Sequence, residues 1–143
     1  MMKNISTLVL FSFLLISCNI LKCNKNTISK LEGNWELNYI SGPRIAFDGL
    51  YPNKKPTINF NTKEKMVSGN NSCNSYTGKL VATENKIDFT QPMVSTKMMC
   101  LDGQGEQVFM NTLSKVTSYS ITDDGKTLNL ISGDIATMRF TKK

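Results

Sequence analysis

The sequence contains no histidine among its 143 residues. This absence excludes Ser-His-Asp and Cys-His catalysis, imidazole general bases and zinc sites that use histidine ligands. Four cysteines are present, at Cys18, Cys23, Cys73 and Cys100, and no two of them form a Cys-x-x-Cys pair. That spacing argues against a four-cysteine zinc site and against a thioredoxin-like redox motif.

Arginine is almost as scarce. Only Arg44 and Arg139 accompany the lysines in a total of 17 basic residues, and the formal net charge is +6. Arginine is the usual residue for bidentate recognition of phosphates and bases, and the lysines form no basic run. We therefore predict no nucleic-acid partner, although a basic protein can favour anionic surfaces.

The sequence also lacks an apolar run long enough to span a bilayer as a helix. The longest, Ile5–Ile16, has 12 residues and follows Lys3, which is typical of a signal peptide. It ends in Leu15-Ile16-Ser17-Cys18, which resembles the bacterial lipobox. We predict a signal peptide over residues 1–17 and lipidation at Cys18, with plain secretion as the alternative.

The segment that follows, residues 18–29, is polar and turn-prone and reads as a lipidated, flexible tether. Its second residue is Asn19 rather than aspartate. Aspartate at that place resembles the inner-membrane retention signal of some Gram-negative bacteria. The expected location is therefore the bacterial cell envelope, at the outer membrane, with the lipid anchor as the contact to the membrane.

The rest of the chain, residues 30–143, has the length and the 40% hydrophobic content of one packed domain. Apolar and polar residues alternate, as half-buried strands require, in several segments: Trp35–Tyr39, Ile58–Phe60, Tyr76–Leu80, Ile87–Phe89, Tyr119–Ile121 and Met138–Phe140. Asp123-Asp124-Gly125 between two such segments is a strong hairpin signal.

One segment has helical spacing instead. Phe109, Leu113 and Val116 recur at i, i+4 and i+7 within residues 106–116. Gly42–Pro56 contains three prolines and is predicted to be a long loop. The sum is an α+β fold: an antiparallel β-sheet, curled toward a barrel, with one packed α-helix.

Three stretches then occur in order: Leu31–Leu37, Ser68–Asn74 and Ser95–Cys100, with Glu106 and Phe109 behind them. This set resembles the META domain family, which includes HslJ-like heat-shock lipoproteins. The family pattern has Gly-x-Trp-x-Leu, Ser-Gly-x-x-Gly-Cys-Asn, Thr-Arg-Met-x-Cys and Glu-x-x-Phe. Ser72 stands where the family prefers glycine, and Lys97 where arginine is common.

The resemblance implies a small α+β domain linked to stress or antibiotic tolerance and to virulence, without a known catalytic mechanism. Together with export, it makes Cys73 and Cys100 candidates for a disulfide, with two buried free thiols as the alternative. Cys23 is left over in the tether.

Polar side chains cluster in two of these stretches. If the cysteines join, the stretches are adjacent, and a candidate polar binding site is formed by Asn70, Asn71, Asn74, Thr96 and Lys97. The alternative is that the asparagines satisfy the backbone groups of a turn, which is the commoner use of asparagine beside glycine.

No other group of residues indicates chemistry. The carboxylates do not pair as hydrolysis of glycosides requires, and no EF-hand loop is present. The methionines indicate core filling more than copper binding. We expect no catalytic residues, no metal and no cofactor.

Three functions remain compatible with the sequence. The first is a non-catalytic envelope lipoprotein that supports stress tolerance through an envelope partner. The second is a small-ligand carrier, which requires an apolar cavity of a few hundred Å³. The third is an inhibitor of an envelope-attacking hydrolase, for which Gly42–Pro56 would be the protruding loop.

Overall fold

The computed structural model describes residues 26–100 and 103–143. The predicted signal peptide, Cys18 and Cys23 lie outside the described residues. The helices are α1 (Asn26–Leu31), α2 (Phe47–Leu50) and α3 (Gly103–Leu113). The strands are β1 (Gly33–Ile40), β2 (Thr57–Asn61), β3 (Met66–Asn70), β4 (Ser75–Lys79), β5 (Val81–Ala82), β6 (Ile87–Asp88), β7 (Val94–Ser95), β8 (Ser118–Thr122), β9 (Thr127–Ser132) and β10 (Ile135–Lys142).

Eight of the strands form one antiparallel sheet in the order β7-β4-β3-β2-β1-β10-β9-β8, and β5 and β6 form a separate hairpin. The turn and the second strand of this hairpin meet the β8 edge. Tyr119 N donates to Asn85 O at 2.9 Å, and Ile87 N donates to Thr117 O at 3.2 Å. The sheet is thus curled like a barrel without closing, and the predicted α+β class is confirmed.

Helix α3 packs against the buried face of the sheet. Phe109 and Leu113 are fully buried, and the Phe109 ring lies 5.9 Å from that of Tyr76 and 6.4 Å from that of Phe140. The helix begins three residues before the predicted segment and ends at Leu113, so Val116 is buried in the turn after it. The prediction was right about the buried face and wrong about both ends.

The segment Gly42–Pro56 is a long connection, as predicted, but it contains the short helix α2 and is anchored to the core. Leu50 and Tyr51 are buried, and the Tyr51 hydroxyl donates to Gly105 O at 3.1 Å. A Cβ atom at Gly105 would lie 2.5 Å from Leu50 O. Glycine is therefore required there for α3 to approach this connection.

Helix α1 lies at one end of the curled sheet, which we call the tether end. It includes residues 26–29, which the sequence pattern assigned to the tether. Leu31 is fully buried, and Trp35 Nε1 donates to Leu31 O at 2.8 Å. Glu32 accepts hydrogen bonds from Thr62 N and Oγ1 in the turn between β2 and β3, so that turn lies at the same end.

The predicted hairpin at Asp123–Gly125 joins β8 to β9. All three residues have positive φ, at 52°, 52° and 88°, the conformation that aspartate and glycine tolerate better than other residues. Among residues 26–100 and 103–143, no helix is long and apolar enough to cross a membrane.

Candidate functional site

The second and third family stretches meet at the end of the sheet opposite α1. Cys73, in the loop after β3, forms a disulfide with Cys100, with a Cα–Cα distance of 6.2 Å. Both cysteines are half-buried. The pairing Phe60–Val67 lies near the tether end and Thr57–Asn70 lies at the other. The disulfide therefore lies at the end of the domain opposite the tether end.

Asn74 is the centre of this site. Its side chain is buried, and its Oδ1 accepts from Met98 N at 2.7 Å and from Thr96 Oγ1 at 2.8 Å. Its Nδ2 lies 3.2 and 3.1 Å from the two carboxylate oxygens of Glu106. One amide thus joins the loop after β3, the segment after β7 and the start of α3.

Asn71 makes a second contact with the same carboxylate. It is buried, its Nδ2 donates to Glu106 Oε1 at 2.9 Å, and its Oδ1 accepts from Asn74 N at 2.7 Å. Glu106 lies in the first turn of α3, where the helix dipole favours a negative charge. We call Asn71, Asn74 and Glu106 the amide–carboxylate cluster.

Asn70 shapes the loop itself. Its Oδ1 accepts from Ser72 N at 3.0 Å, an Asx-type turn. Ser72 has φ of 89°, so it adopts the positive φ that glycine would supply in the family pattern. At Gly69 a Cβ atom would lie 2.1 Å from Thr57 O, and this close approach of β2 and β3 excludes any other residue.

The structure brings four of the five candidate polar residues together. Thr96 joins the site through its bond to Asn74 and accepts from Ser75 N at 3.1 Å. Lys97 is exposed and makes no hydrogen bond or ion pair with a described residue. No buried side-chain nitrogen or oxygen in the described part of the chain lacks a partner. The asparagines therefore satisfy the loop and one another.

Cys73, Cys100 and Glu106 place one ligand-type atom each within 4.8 Å of one another. A metal would need the two sulfurs as thiolates. Because they are bonded to each other, this group does not fit a metal ion in the oxidised protein.

Two grooves flank the described structure near its helices. One, of about 380 Å³, runs beside the disulfide between Leu50–Lys54 and Met98–Cys100, and Met99 there is fully exposed. The other, of about 280 Å³, is mainly apolar and lies between the β5–β6 hairpin and the chain after α3. Its lining includes Val81, Ala82, Ile87 and Val116.

Sequence reasoning missed two members of the site. Glu106 was placed at a helix start, but its pairing with Asn71 and Asn74 depends on a contact 32 to 35 residues away. Its position in the Glu-x-x-Phe motif, three residues before the buried Phe109, was the available signal. Tyr51, which packs against α3, carried no signal in its proline-rich segment.

Comparison with known proteins identifies the family and the fold. The model of the META domain matches residues 28–143. The chain is similar to a Burkholderia xenovorans protein solved by NMR, with a TM-score of 0.63, 21% identity, and 82% of this chain and 86% of that chain covered. A second NMR structure is similar with a TM-score of 0.52 and 18% identity, and the match covers 78% of this chain and 89% of that chain. No curated protein matches significantly. Because the family model covers the whole described structure except its first residues, the chain belongs to the META domain family.

Proposed function

We propose that this protein is a non-catalytic lipoprotein of the bacterial cell envelope, anchored through Cys18 at the outer membrane. There its META domain supports tolerance of stress or antibiotics, or virulence, by binding another envelope component. The leader over residues 1–17 and the Leu15–Cys18 pattern support the anchor. The resemblance to HslJ-like lipoproteins supports the biological role.

The observation that carries this proposal is the Cys73–Cys100 disulfide at a half-buried surface position. Disulfides persist in oxidising compartments such as the periplasm and the cell surface, and are rare in the cytosol. The cluster beside it supports a non-catalytic role, because both oxygens of its carboxylate already accept hydrogen bonds from Asn71 and Asn74.

The anchor is tested by fractionation and intact-mass measurement of the wild-type protein, Cys18→Ala and the matched control Cys23→Ala. We expect the wild type and Cys23→Ala in the membrane fraction, beginning at Cys18 and carrying acyl mass. Cys18→Ala should be released or remain an unprocessed precursor. A wild-type chain that is soluble, starts elsewhere and has no acyl mass would contradict the proposal.

The biological role is tested by deleting the gene and measuring survival under heat and antibiotic challenge. Complementation by the wild type should restore survival. Complementation by Cys18→Ala should not, because a domain without its lipid anchor is no longer held at the membrane. Equal survival of the deletion strain and its parent under every challenge would contradict the role in tolerance.

A second candidate function is small-ligand binding, which the apolar groove beside Val81 and Ile87 favours. The interior of the sheet is filled by side chains such as Trp35, Phe60 and Phe140, all fully buried, so a ligand would occupy the groove. Titration with a fluorescent fatty acid tests this: Val81→Lys should abolish binding, and Val94→Lys, at an exposed site elsewhere, should not.

The inhibitor hypothesis has less support. It needs Gly42–Pro56 to protrude, and the buried Leu50 and Tyr51 hold the middle of that segment against the core.

A further inference from the structure

We propose that a groove at the tether end binds the phosphate headgroups of anionic phospholipids when the anchor holds the domain at the membrane. The groove, of about 670 Å³, is lined by Lys30, Ile121, Asp124, Gly125, Lys126 and Lys142; we call it the lysine groove. This inference rests on the proposed lipid anchor and adds a second contact with the same membrane.

Strand pairing and strand alternation bring two of these lysines together. Lys126 immediately precedes β9, whose core residues include Leu128 and Leu130, and its carbonyl accepts from Lys142 N at 2.9 Å. On β10 the core residue Phe140 is followed by Lys142. Successive positions of this period lie on one face of a sheet. The inward face therefore changes from apolar to cationic where it leaves the core at the tether end.

The charges in the lysine groove are only partly neutralised within the described structure. Three lysines line the groove with one carboxylate, that of Asp124, and none of their ammonium groups forms an ion pair within 4.0 Å with a described residue. The pKa of Glu32 is lowered mainly by its hydrogen bonds from Thr62 and to a smaller degree by the charges of Lys63 and Lys142, so this carboxylate offsets part of the charge of Lys142. The ion pair found in the described residues, Lys143 with Glu36 at 2.9 Å, lies outside the groove. The groove thus retains an excess of positive charge for an anionic ligand.

Lys142 also has a fixed place. Its Nζ lies 5.0 Å from the centre of the Trp35 ring, a cation–π contact. It pairs with Trp35 across β1 and β10 in the sheet register. This contact restricts the ammonium group to a position beside the Trp35 ring. Because the side chain is already restricted, binding a headgroup there costs less side-chain entropy than it would at a freely moving surface lysine.

The position of the anchor identifies the occupant. Lys30 belongs to α1, where the described chain begins at Asn26. Seven residues, Asn19–Lys25, separate the predicted acylated cysteine from that helix. Fully extended, the chain from Cys18 to Asn26 spans roughly 30 Å. The lysine groove is therefore held within a short distance of the lipid surface.

A membrane with anionic lipids can bind both the acyl chains on Cys18 and the lysine groove. Stable membrane attachment commonly combines acyl chains with a basic patch, because the patch adds electrostatic attraction to anionic headgroups. Binding in the lysine groove would orient the domain with α1 toward the lipid. The disulfide and the amide–carboxylate cluster, at the opposite end, would then face away from the membrane, accessible to an envelope partner.

The orientation is tested on the full lipidated protein, reconstituted in vesicles that contain phosphatidylglycerol and in vesicles of phosphatidylcholine alone. The rate at which each lysine is acylated by a water-soluble active ester is measured by mass spectrometry. Lys30, Lys126 and Lys142 should react several-fold more slowly in the anionic vesicles, and high salt should remove the difference. Lys54 and Lys86 are internal controls. Equal rates for the groove lysines in both vesicles would overturn the proposal.

Binding is tested separately from the anchor by adding purified protein to preformed vesicles and measuring co-sedimentation. The variant Lys30→Gln/Lys126→Gln/Lys142→Gln is compared with Lys54→Gln/Lys55→Gln/Lys86→Gln, which removes the same charge elsewhere. Each lysine at an anionic surface is worth about fivefold in binding, so the groove variant should lose on the order of 100-fold. Equal losses in both variants would show a general charge effect and overturn the lysine groove, whereas absence of acyl mass would overturn only the anchor.

Discussion

The side-chain amide of Asn74 bridges both carboxylate oxygens of Glu106, with Nδ2–O distances of 3.2 and 3.1 Å. This contact connects the loop that carries Cys73 to the first turn of α3. Asn71 donates to the same carboxylate at 2.9 Å. One carboxylate therefore accepts hydrogen bonds from two buried side-chain amides. We call this contact between the Cys73 loop and the first turn of α3 the junction, and the Cys73–Cys100 disulfide lies next to it.

Replacement of Glu106 by glutamine tests this junction. Glu106→Gln keeps the shape but replaces one acceptor oxygen by an NH₂ group that faces the amides of Asn71 and Asn74. We expect the free energy of unfolding, measured with urea, to fall by about 1.5–3 kcal/mol, the range for hydrogen bonds to a charged group.

Glu64→Gln is the matched control, because it removes a carboxylate from an exposed turn and should change stability by less than about 0.5 kcal/mol. Equal urea midpoints for Glu106→Gln and the wild type would show that the cluster does not stabilise the fold.

This junction also shows how far sequence reasoning reached. Alternation of apolar and polar residues located β1, β2, β4, β8 and β10, because the period of two is a local property of each strand. The helix was found from the i, i+4 spacing of Phe109 and Leu113, which is likewise a local property of the sequence. The partners of Glu106 depend on which loops the sheet brings together, and no local pattern encodes that distance.

Short elements were missed for a related reason. Helix α1 has only six residues and packs chiefly through Leu31 at its end, so it has no helical period and reads as tether. Its stability comes from tertiary packing, including the bond from Trp35 Nε1. Thr96 was expected in the site and hydrogen-bonds to Asn74 there, whereas Lys97, next to it, is exposed.

The disulfide is expected to be present in the mature protein. Peptide mapping without reductant should recover the Cys73 and Cys100 peptides linked. The bond spans 27 residues, so on the chain-entropy model Cys73→Ser should lower the free energy of unfolding by about 3–4 kcal/mol.

Cys23→Ser is the control for loss of a cysteine and should leave the unfolding curve of the domain unchanged. Recovery of Cys73 and Cys100 both alkylated, before any reductant is added, would contradict the bond.

The contact between α3 and the sheet is tested at Phe109. This side chain is fully buried between Tyr76 and Phe140. Phe109→Ala should destabilise the protein by about 3–5 kcal/mol, through lost burial and the cavity that remains. Gln107→Ala, on the exposed face of the same helix, should cost less than about 0.5 kcal/mol in the same urea titration. Similar midpoints for the two variants would mean that α3 is peripheral.

Alkaline pH is expected to destabilise the fold in part through Tyr51, whose hydroxyl is buried against Gly105. Burial raises the pKa of Tyr51 from 10 to about 12. Below pH 10 the tyrosine is neutral in both the folded and the unfolded chain, so its contribution is fully present. As the pH rises from 10 to 12, the unfolded chain loses this proton and the folded chain retains it, so the free energy of unfolding falls.

Tyr51→Phe removes this titration. At neutral pH the variant should be less stable than the wild type by about 0.5–1.5 kcal/mol, since it lacks the hydrogen bond to Gly105 O. The difference between the two proteins should shrink as the pH rises toward 12, because only the wild type carries the penalty of ionising the Tyr51 hydroxyl, whereas the buried Tyr76 and Tyr119 are common to both. Tyr39→Phe, at an exposed position, is the control and should follow the wild type at every pH. A constant difference between Tyr51→Phe and the wild type across this range, in urea unfolding, would show that Tyr51 does not limit alkaline stability.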